Sequence, residues 1–352
     1  MIRIAIVGTG GMAYAHAQRF SDLPGCQVVA GVDIVESNLQ RFCERFDISH
    51  AFSSVKELLD WGEFDAAAVV TNDSAHVPCS LPLVKAGKHV LCEKPIAPTA
   101  GEGKRLVTAA EKAGVAHMIH FSYRNAPVLH HAQKLVASGK LGALRHLEAN
   151  YLQTWLTSPV WGEWRSTPAW LWRLSSAHGS KGALGDIGVH IVDLATFVAN
   201  EPVKSVNCRL QTYDKAPGNR IGEYTLDAND SAFLRIELAD GCVGTINASR
   251  WATGQINSLK LNLYGEKGAL RIDLDKSDEE LEVCLGADVK KGQFKTVKVR
   301  PTPNMQARFL RAIRTGKNDA SDFRRGWEVQ RVLDAAFRSD AQSKTIDIRN
   351  LK

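Results

Sequence analysis

No run of the sequence approaches the ~18 apolar residues that a membrane-spanning helix needs. A cysteine framework is missing too. The 7 cysteines are odd in number and scattered, and no two stand in C-x-x-C spacing. That excludes a disulfide scaffold, a zinc ribbon and a dithiol pair, and points to buried thiols in a reducing compartment. Basic residues form no long block. The formal charge of +6 therefore reads as solubility charge, with some pull on an anionic cofactor, and not as a nucleic-acid footprint. There is no internal repeat and no low-complexity segment. Met1 to Ile4 lead straight into an apolar strand without a charged leader, which predicts a cytoplasmic protein with no membrane partner.

What is present is ordinary globular composition, 44% hydrophobic and 23% charged over 352 residues. At ~150 residues per domain this suggests two domains. Up to about residue 121, short continuous apolar runs alternate with helical patterns. Strands are expected at Arg3 to Val7, Gln27 to Val32, Ala66 to Thr71, Lys88 to Cys92 and Ala116 to Phe121. Such runs indicate a parallel sheet covered on both faces. After Pro127 the pattern changes. A helix, a strand over Leu144 to Thr154, a tryptophan-rich loop and a helix over Gly182 to Ala199 come first. From Val203 to Val299 strand-like runs follow one another with glycine turns, as in an antiparallel sheet. Two helices, Met305 to Thr315 and Gly326 to Phe337, close the chain. The expected fold class is α/β followed by α+β. The expected domains are 1–123, binding a dinucleotide, and 124–352, binding substrate and mediating oligomerisation. The last helices are expected to pack back on the first domain.

Gly8, Gly10 and Ala13 form G-x-G-x-x-A between the first strand and the first helix. Gly8 permits a tight turn, Gly10 lets the backbone approach a pyrophosphate, and Ala13 lets the helix sit close to the sheet. Asp33 ends the second strand 20 residues after Ala13, the place for an acid that binds a ribose 2′-hydroxyl. Ile34 follows it, not arginine, so the acid favours NAD over NADP, although Arg41 could approach from the next helix.

Glu93-Lys94-Pro95 follows a buried strand. Pro95 restricts Lys94, whose ammonium can then aim into a cleft, or serve as a surface lysine. Asp186, His190 and Asp193 stand at i, i+4 and i+7 and share one helix face. His190 suits acid–base work near neutrality, with Asp186 orienting it or bonding a substrate hydroxyl. The same trio also reads as a helix-start acid with a satisfied histidine, or as a metal site. Five of the 8 tryptophans, Trp155, Trp161, Trp164, Trp170 and Trp172, lie within 18 residues, interleaved with Arg165 and Arg173. Tryptophan faces pack on sugar rings and arginines bond hydroxyls or carboxylates; equally, these rings could fill a core or a subunit interface.

These motifs, with Tyr123-Arg124, Gly87-Lys88-His89-Val90, Gly139-Lys140-Leu141-Gly142 and Asp322-Phe323 before Gly326, occur in one order over nearly the whole chain. Together they resemble the glucose–fructose oxidoreductase / inositol dehydrogenase (Gfo/Idh/MocA) family. The resemblance implies an N-terminal Rossmann domain and a C-terminal domain built on an open, mainly antiparallel β-sheet. It also implies dimers or tetramers formed through that sheet. It makes Lys94 the active-site lysine, Asp186 the substrate-binding acid and His190 the acid–base group, with no metal. It places Gly8, Gly10, Gly11, Met12, Ala13, Asp33, Thr71, Asn72, His76, Glu93 and Lys94 around NAD, His76 near the nicotinamide. Tyr123, Arg124, Trp161, Trp164, Arg165, Trp172, Arg173, Asp186 and His190 are expected around the substrate. The family commonly has Pro-Asn where Thr71-Asn72-Asp73 stands.

The implied activity is hydride transfer between NAD and a hydroxyl of a sugar, cyclitol or sugar derivative. Sugar acids remain open because of the arginines. Three other readings stand beside it: an NADP-dependent reductase of a sugar-like ketone or dihydrodiol, a catalytically silent NAD-sensing regulator, and redox-assisted glycoside cleavage.

Overall fold

A computed structural model describes residues 1–351. It divides into two compact units, residues 1–122 with 303–330, and residues 123–302 with the described residues from 331 on. The division falls inside the last long helix, Phe323–Gln342.

The first unit holds six parallel strands: β1 (Ile2–Val7), β2 (Cys26–Val32), β3 (His50–Phe52), β4 (Ala66–Val69), β5 (His89–Glu93) and β6 (His117–His120). Their order is β3-β2-β1-β4-β5-β6. This is the doubly wound dinucleotide-binding order, with its switch point between β1 and β4. β4 is buried along its whole length, and β1 and β5 are buried beyond their first residues. Ile4, Ile6, Ala66 and Ala68 join Phe20, Phe42 and Phe309 in one core, which is why these strands read as continuous apolar runs. The short β3 and the helix Val55–Trp61 gave no such signal, since β3 is largely exposed. Met305–Thr315 packs in this unit, with Met305, Phe309 and Leu310 in the same core.

In the second unit β7 (Leu144–Gln153) lies at the middle of a nine-stranded sheet. The chain continues through β8 (Val203–Gln211), the small hairpin β9 (Arg220–Ile221) and β10 (Tyr224–Thr225), then β11 (Ser231–Leu238) and β12 (Val243–Ser249). It goes on through β13 (Asn257–Gly265), β14 (Gly268–Asp273), β15 (Glu280–Leu285), β16 (Lys295–Lys298) and β17 (Ile346–Asp347). The sheet order is β16-β15-β14-β13-β7-β12-β11-β8-β17. All neighbours are antiparallel except β7 and β12. Residues alternate along most of these strands. Leu147, Ala149, Leu261 and Ile246 are buried on one face, while Arg235 and Phe233 are exposed on the other. The helices Pro127–Ala137 and Val189–Ala199 cover the buried face. No helix among the described residues is long and apolar enough to cross a membrane.

One expected helix differs in detail. Gly182 to Ala199 begins with a π turn, Leu184–Gly188, before regular α-helix at Val189–Ala199. Asn229 holds the start: its backbone carbonyl accepts from Ala183 N and its side chain from Leu184 N. Such a turn changes the side-chain register, and π turns cluster at functional positions. Asp186 sits inside it.

Candidate functional site

In the first unit, strand ends build a cleft of about 340 Å³, lined among others by Gly8, Gly10, Asp33, Thr71 and Asn72. Gly8 has φ +87°, and a Cβ there would lie 2.8 Å from the Val70 backbone, so only glycine fits. At Gly10 and Gly11 a Cβ would meet nothing within 4 Å, so the space over the turn is open. Gly10 starts the helix Gly11–Ser21 with no side-chain cap, leaving its first N–H groups to a ligand. Ala13 is fully buried against the sheet, and Met12 is exposed.

Asp33 ties this loop together. Its Oδ2 accepts from Thr9 N at 2.7 Å and Thr9 Oγ1 at 2.9 Å, and its Oδ1 from Val35 N at 2.8 Å. Half-exposed at the cleft, the carboxylate can still accept from a ribose diol, while a 2′-phosphate would meet a like charge. Ile34 beside it is exposed, and Arg41 bonds Asn38 at 2.7 Å. Open glycine backbone, an uncapped helix start and an acid on the ribose side fit NAD.

Two expected cofactor ligands turn out to be internal. Glu93 is buried; its Oε1 accepts from His16 Nε2 at 2.9 Å and His120 Nδ1 at 2.7 Å, and its Oε2 from Lys94 N at 3.2 Å. The remaining nitrogens, His16 Nδ1 and His120 Nε2, each lie 3.3 Å from the Gln306 amide nitrogen. One proton assignment accounts for all of these contacts, and it leaves the buried Gln306 carbonyl oxygen without a partner. Both imidazoles are neutral and donate to an ionised carboxylate, and the amide donates one proton to each. The three ligand-type atoms lie within 4.8 Å of one another. Their 2.7 and 2.9 Å spacings are those of hydrogen bonds, which explain the cluster without an ion. Glu93 thus anchors the backbone of Lys94 and does not reach a cofactor.

His76, expected at the nicotinamide, is fully buried. Its Nδ1 lies 2.6 Å from the Pro95 carbonyl and its Nε2 3.1 Å from the Thr71 carbonyl. Carbonyls only accept, so both nitrogens carry protons. Burial pushes this imidazole down, but Cys92, Asp73 and the Pro95 carbonyl outweigh it and raise the pKa to about 9. His76 joins the Thr71 and Pro95 loops, and Lys94 stands half-buried between Glu93 and Pro95.

In the second unit, Tyr123 and Arg124 meet the helix Val189–Ala199 one turn apart. The Tyr123 ring stands edge-on to His190 with centroids 5.1 Å apart. Arg124 grips Asp193 through Nε at 2.7 Å and Nη2 at 2.5 Å, with its guanidinium 4.0 Å from the Phe197 ring. Both partners of this ion pair are about 2% exposed or less. Arg124 is therefore not a substrate residue, and Asp193 is not a metal ligand. Asp186, about a third exposed, accepts from Arg250 Nη2 at 2.8 Å, with Arg173 Nε at 3.8 Å. His190 is 8% exposed.

The tryptophan loop is largely its own small core. Trp155 and Trp164 are buried with Leu156, Leu171, Leu174 and Leu226, and Trp161 and Trp170 pack against them. Trp164, expected on a substrate wall, has no face to offer at 2% exposure. Arg165 is exposed and pairs with Glu163 at 3.6 Å. Trp172 is half-buried beneath the Arg173 guanidinium, 4.7 Å away.

Arg250, Tyr151, Gln153 and Asn257 were absent from the expectation. Arg250 is in phase with buried Ile246 and Ala248, and Tyr151 and Gln153 with Leu147 and Ala149. A polar residue at an inward position of an alternating strand was the available signal.

Residues 2–121 match a family model described as an oxidoreductase family with an NAD-binding Rossmann fold. Residues 129–271 match the GFO/IDH/MocA C-terminal domain. The chain belongs to the GFO/IDH/MocA family of NAD-binding oxidoreductases. It is 26% identical to levoglucosan dehydrogenase of Pseudarthrobacter phenanthrenivorans, over 99% of this chain and 98% of that protein. It is 24% identical to an NADP-dependent scyllo-inositol 2-dehydrogenase of Bacillus subtilis, over 96% of each. Among solved structures, levoglucosan dehydrogenase in complex with NADH superposes with a TM-score of 0.87 at 25% identity, covering 99% of both chains.

Proposed function

We propose that the protein oxidises a hydroxyl of a sugar, cyclitol or sugar derivative with NAD. The observation that carries this reading is the Asp186–His190 turn. It sets an ion-paired, partly exposed carboxylate on the same helix as an imidazole flanked by tyrosines. The full-length relatives named as sugar and cyclitol dehydrogenases support it.

NAD, when bound, supplies the hydride acceptor. His190 takes the hydroxyl proton. Asp186, paired with Arg250, accepts a hydrogen bond from a substrate hydroxyl. Lys94, held by the Glu93 anchor at its backbone, donates to the reacting oxygen and stabilises developing negative charge. Gly8 to Ala13, Asp33, Thr71 and Asn72 bind the dinucleotide. Tyr123, Trp172 and Arg173 serve the substrate.

The protein acts as a dimer or tetramer through the outer face of the nine-stranded sheet. Phe233 and Val243 are 46% and 53% exposed there, on adjacent strands. Its location is cytoplasmic, consistent with seven unbridged cysteines. Turnover is followed at 340 nm with NAD and a panel of cyclitols, aldoses and glycosides. His190→Ala should lose about 10²–10⁴-fold in kcat while NAD affinity persists. Near-normal turnover would remove His190 from the mechanism.

A further inference from the structure

The polar cluster beside His190 has a direction built into it. Five side chains of the second unit are linked. Trp155 Nε1 donates to Gln153 Oε1 at 3.1 Å. Gln153 Nε2 lies 3.1 Å from the Tyr151 hydroxyl and 2.9 Å from Asn257 Oδ1. The Tyr151 hydroxyl lies 2.8 Å from Asn257 Oδ1 and 2.6 Å from the Tyr123 hydroxyl. Asn257 Nδ2 lies 2.9 Å from the Tyr123 hydroxyl, closing the loop.

An indole N–H can only donate. It therefore fixes the buried Gln153 amide with its oxygen toward Trp155 and its nitrogen toward Tyr151 and Asn257. Facing that N–H, Asn257 must present its oxygen, and so its nitrogen faces Tyr123. The Asn257 oxygen has no proton, so the 2.8 Å contact holds the single proton of Tyr151. Two hydroxyl oxygens 2.6 Å apart also need a proton between them, and only Tyr123 has one left. Every hydroxyl proton is then placed. Tyr123 donates inward to Tyr151, accepts from Asn257, and keeps one lone pair for a ligand and no proton.

We propose that Trp155, acting through Gln153 and Asn257, makes Tyr123 a reader of hydroxyl donors, so that the substrate is a neutral polyhydroxy compound and not a sugar acid. This rests on the oxidoreductase reading above and narrows its substrate class. A ligand O–H satisfies the Tyr123 lone pair. A carboxylate or ketone oxygen there would face an acceptor with no proton between them. The charges nearby point the same way. Asp186 pairs with the buried Arg250 guanidinium at 2.8 Å, and Arg173, an arginine the sequence offered to an acid, lies 3.8 Å from the same carboxylate oxygen. Trp155 and Gln153 are buried, Tyr123 is half-buried and Asn257 is exposed, so the network runs from the tryptophan core to the surface. Trp155 and Gln153 are positioning residues; Tyr123 is the contact.

The test uses the full chain with NAD and matched ligands: a neutral sugar or cyclitol, its single deoxy and O-methyl derivatives, and its uronic or aldonic acid. Both kcat/KM and calorimetric binding to the NADH-loaded protein are read. One deoxy or O-methyl position should lower affinity about tenfold, and Tyr123→Phe should shrink that difference to about twofold or less. The acid should bind more weakly than its neutral parent. Trp155→Phe keeps a ring in the core and removes only the donor, and should narrow the neutral-over-acid preference. Should it fail to fold, Tyr123→Phe alone carries the decision. A deoxy effect unchanged in Tyr123→Phe overturns the proposal, as does an acid that binds as well as its parent. Either result leaves NAD-linked turnover standing. Absence of NADH formation with every ligand refutes the oxidoreductase reading instead, while the binding data still decide the hydroxyl reader.

Discussion

Glu93→Gln separates two roles for one residue. A cofactor ligand replaced by its amide loses NAD affinity and keeps its fold. A buried anchor replaced by its amide loses stability. In the structure Oε1 accepts two imidazole N–H bonds at 2.9 and 2.7 Å, and Oε2 accepts the Lys94 N–H. Hydrogen bonds to a charged acceptor are worth about 1.5–3 kcal/mol and neutral ones about 0.5–1.5, so each imidazole bond loses roughly 1 kcal/mol. With the glutamine oxygen kept toward the imidazoles, its NH₂ faces the Lys94 N–H, donor against donor, for about 1 kcal/mol more. The sum is roughly 3 kcal/mol. In a unit of about 150 residues each kcal/mol shifts the melting temperature by about 2–4 °C, so roughly 6–12 °C should be lost. Calorimetry reads the melting, and fluorescence titration at low temperature reads NAD affinity. A variant that melts like the wild type but no longer binds NAD would refute the anchor and restore Glu93 as a ligand.

Other consequences can be checked directly. The first unit should be most stable near pH 6.5. Burial and then His120 lower the His16 pKa, so below that pH the unfolded chain takes up protons first and stability falls. Burial pushes Glu93 up, but His120 and His16 hold it well below the carboxylate range, adding a second loss at lower pH. The raised pKa of His76, about 9, acts in the opposite sense. Its contribution is full below pH 6.5 and is lost as the pH rises toward 9, and His76→Asn should flatten that alkaline limb in melting curves. Gly8→Ala combines a positive φ with a 2.8 Å clash against Val70 backbone and should abolish NAD binding by titration; unaltered affinity would mean that the turn can shift. Asp193→Asn leaves the buried Arg124 without its counter-charge and should cost about 3–5 kcal/mol in denaturant unfolding; a loss below about 1 kcal/mol would refute a structural role.

The first sheet was legible because each central strand is buried on both faces, so apolar runs such as Ala66–Val69 mark it without partners. The glycine turn was legible for a similarly local reason. Gly8 needs its φ and Asp33 ends the next strand, so the spacing alone carries the chemistry. The second sheet was legible in kind but not in order. Its alternation showed antiparallel strands, yet nothing local told that β7 would sit between β12 and β13. The short β3 escaped because it is mostly exposed.

The site divides along the same line. Sequence determined which residues carry chemistry: the glycine loop, the Lys94 turn and the Asp186–His190 spacing are set by neighbours a few residues apart. Tertiary structure alone decided what each charge faces. Glu93 found His16 and His120, 77 and 27 residues away, and Arg124 found Asp193 across 69. Trp164 went into a core, and Trp155 reached Tyr123 through Gln153 with Asn257 and Tyr151. Burial and hydrogen-bond partners are properties of distant segments brought together, and no local pattern encodes them.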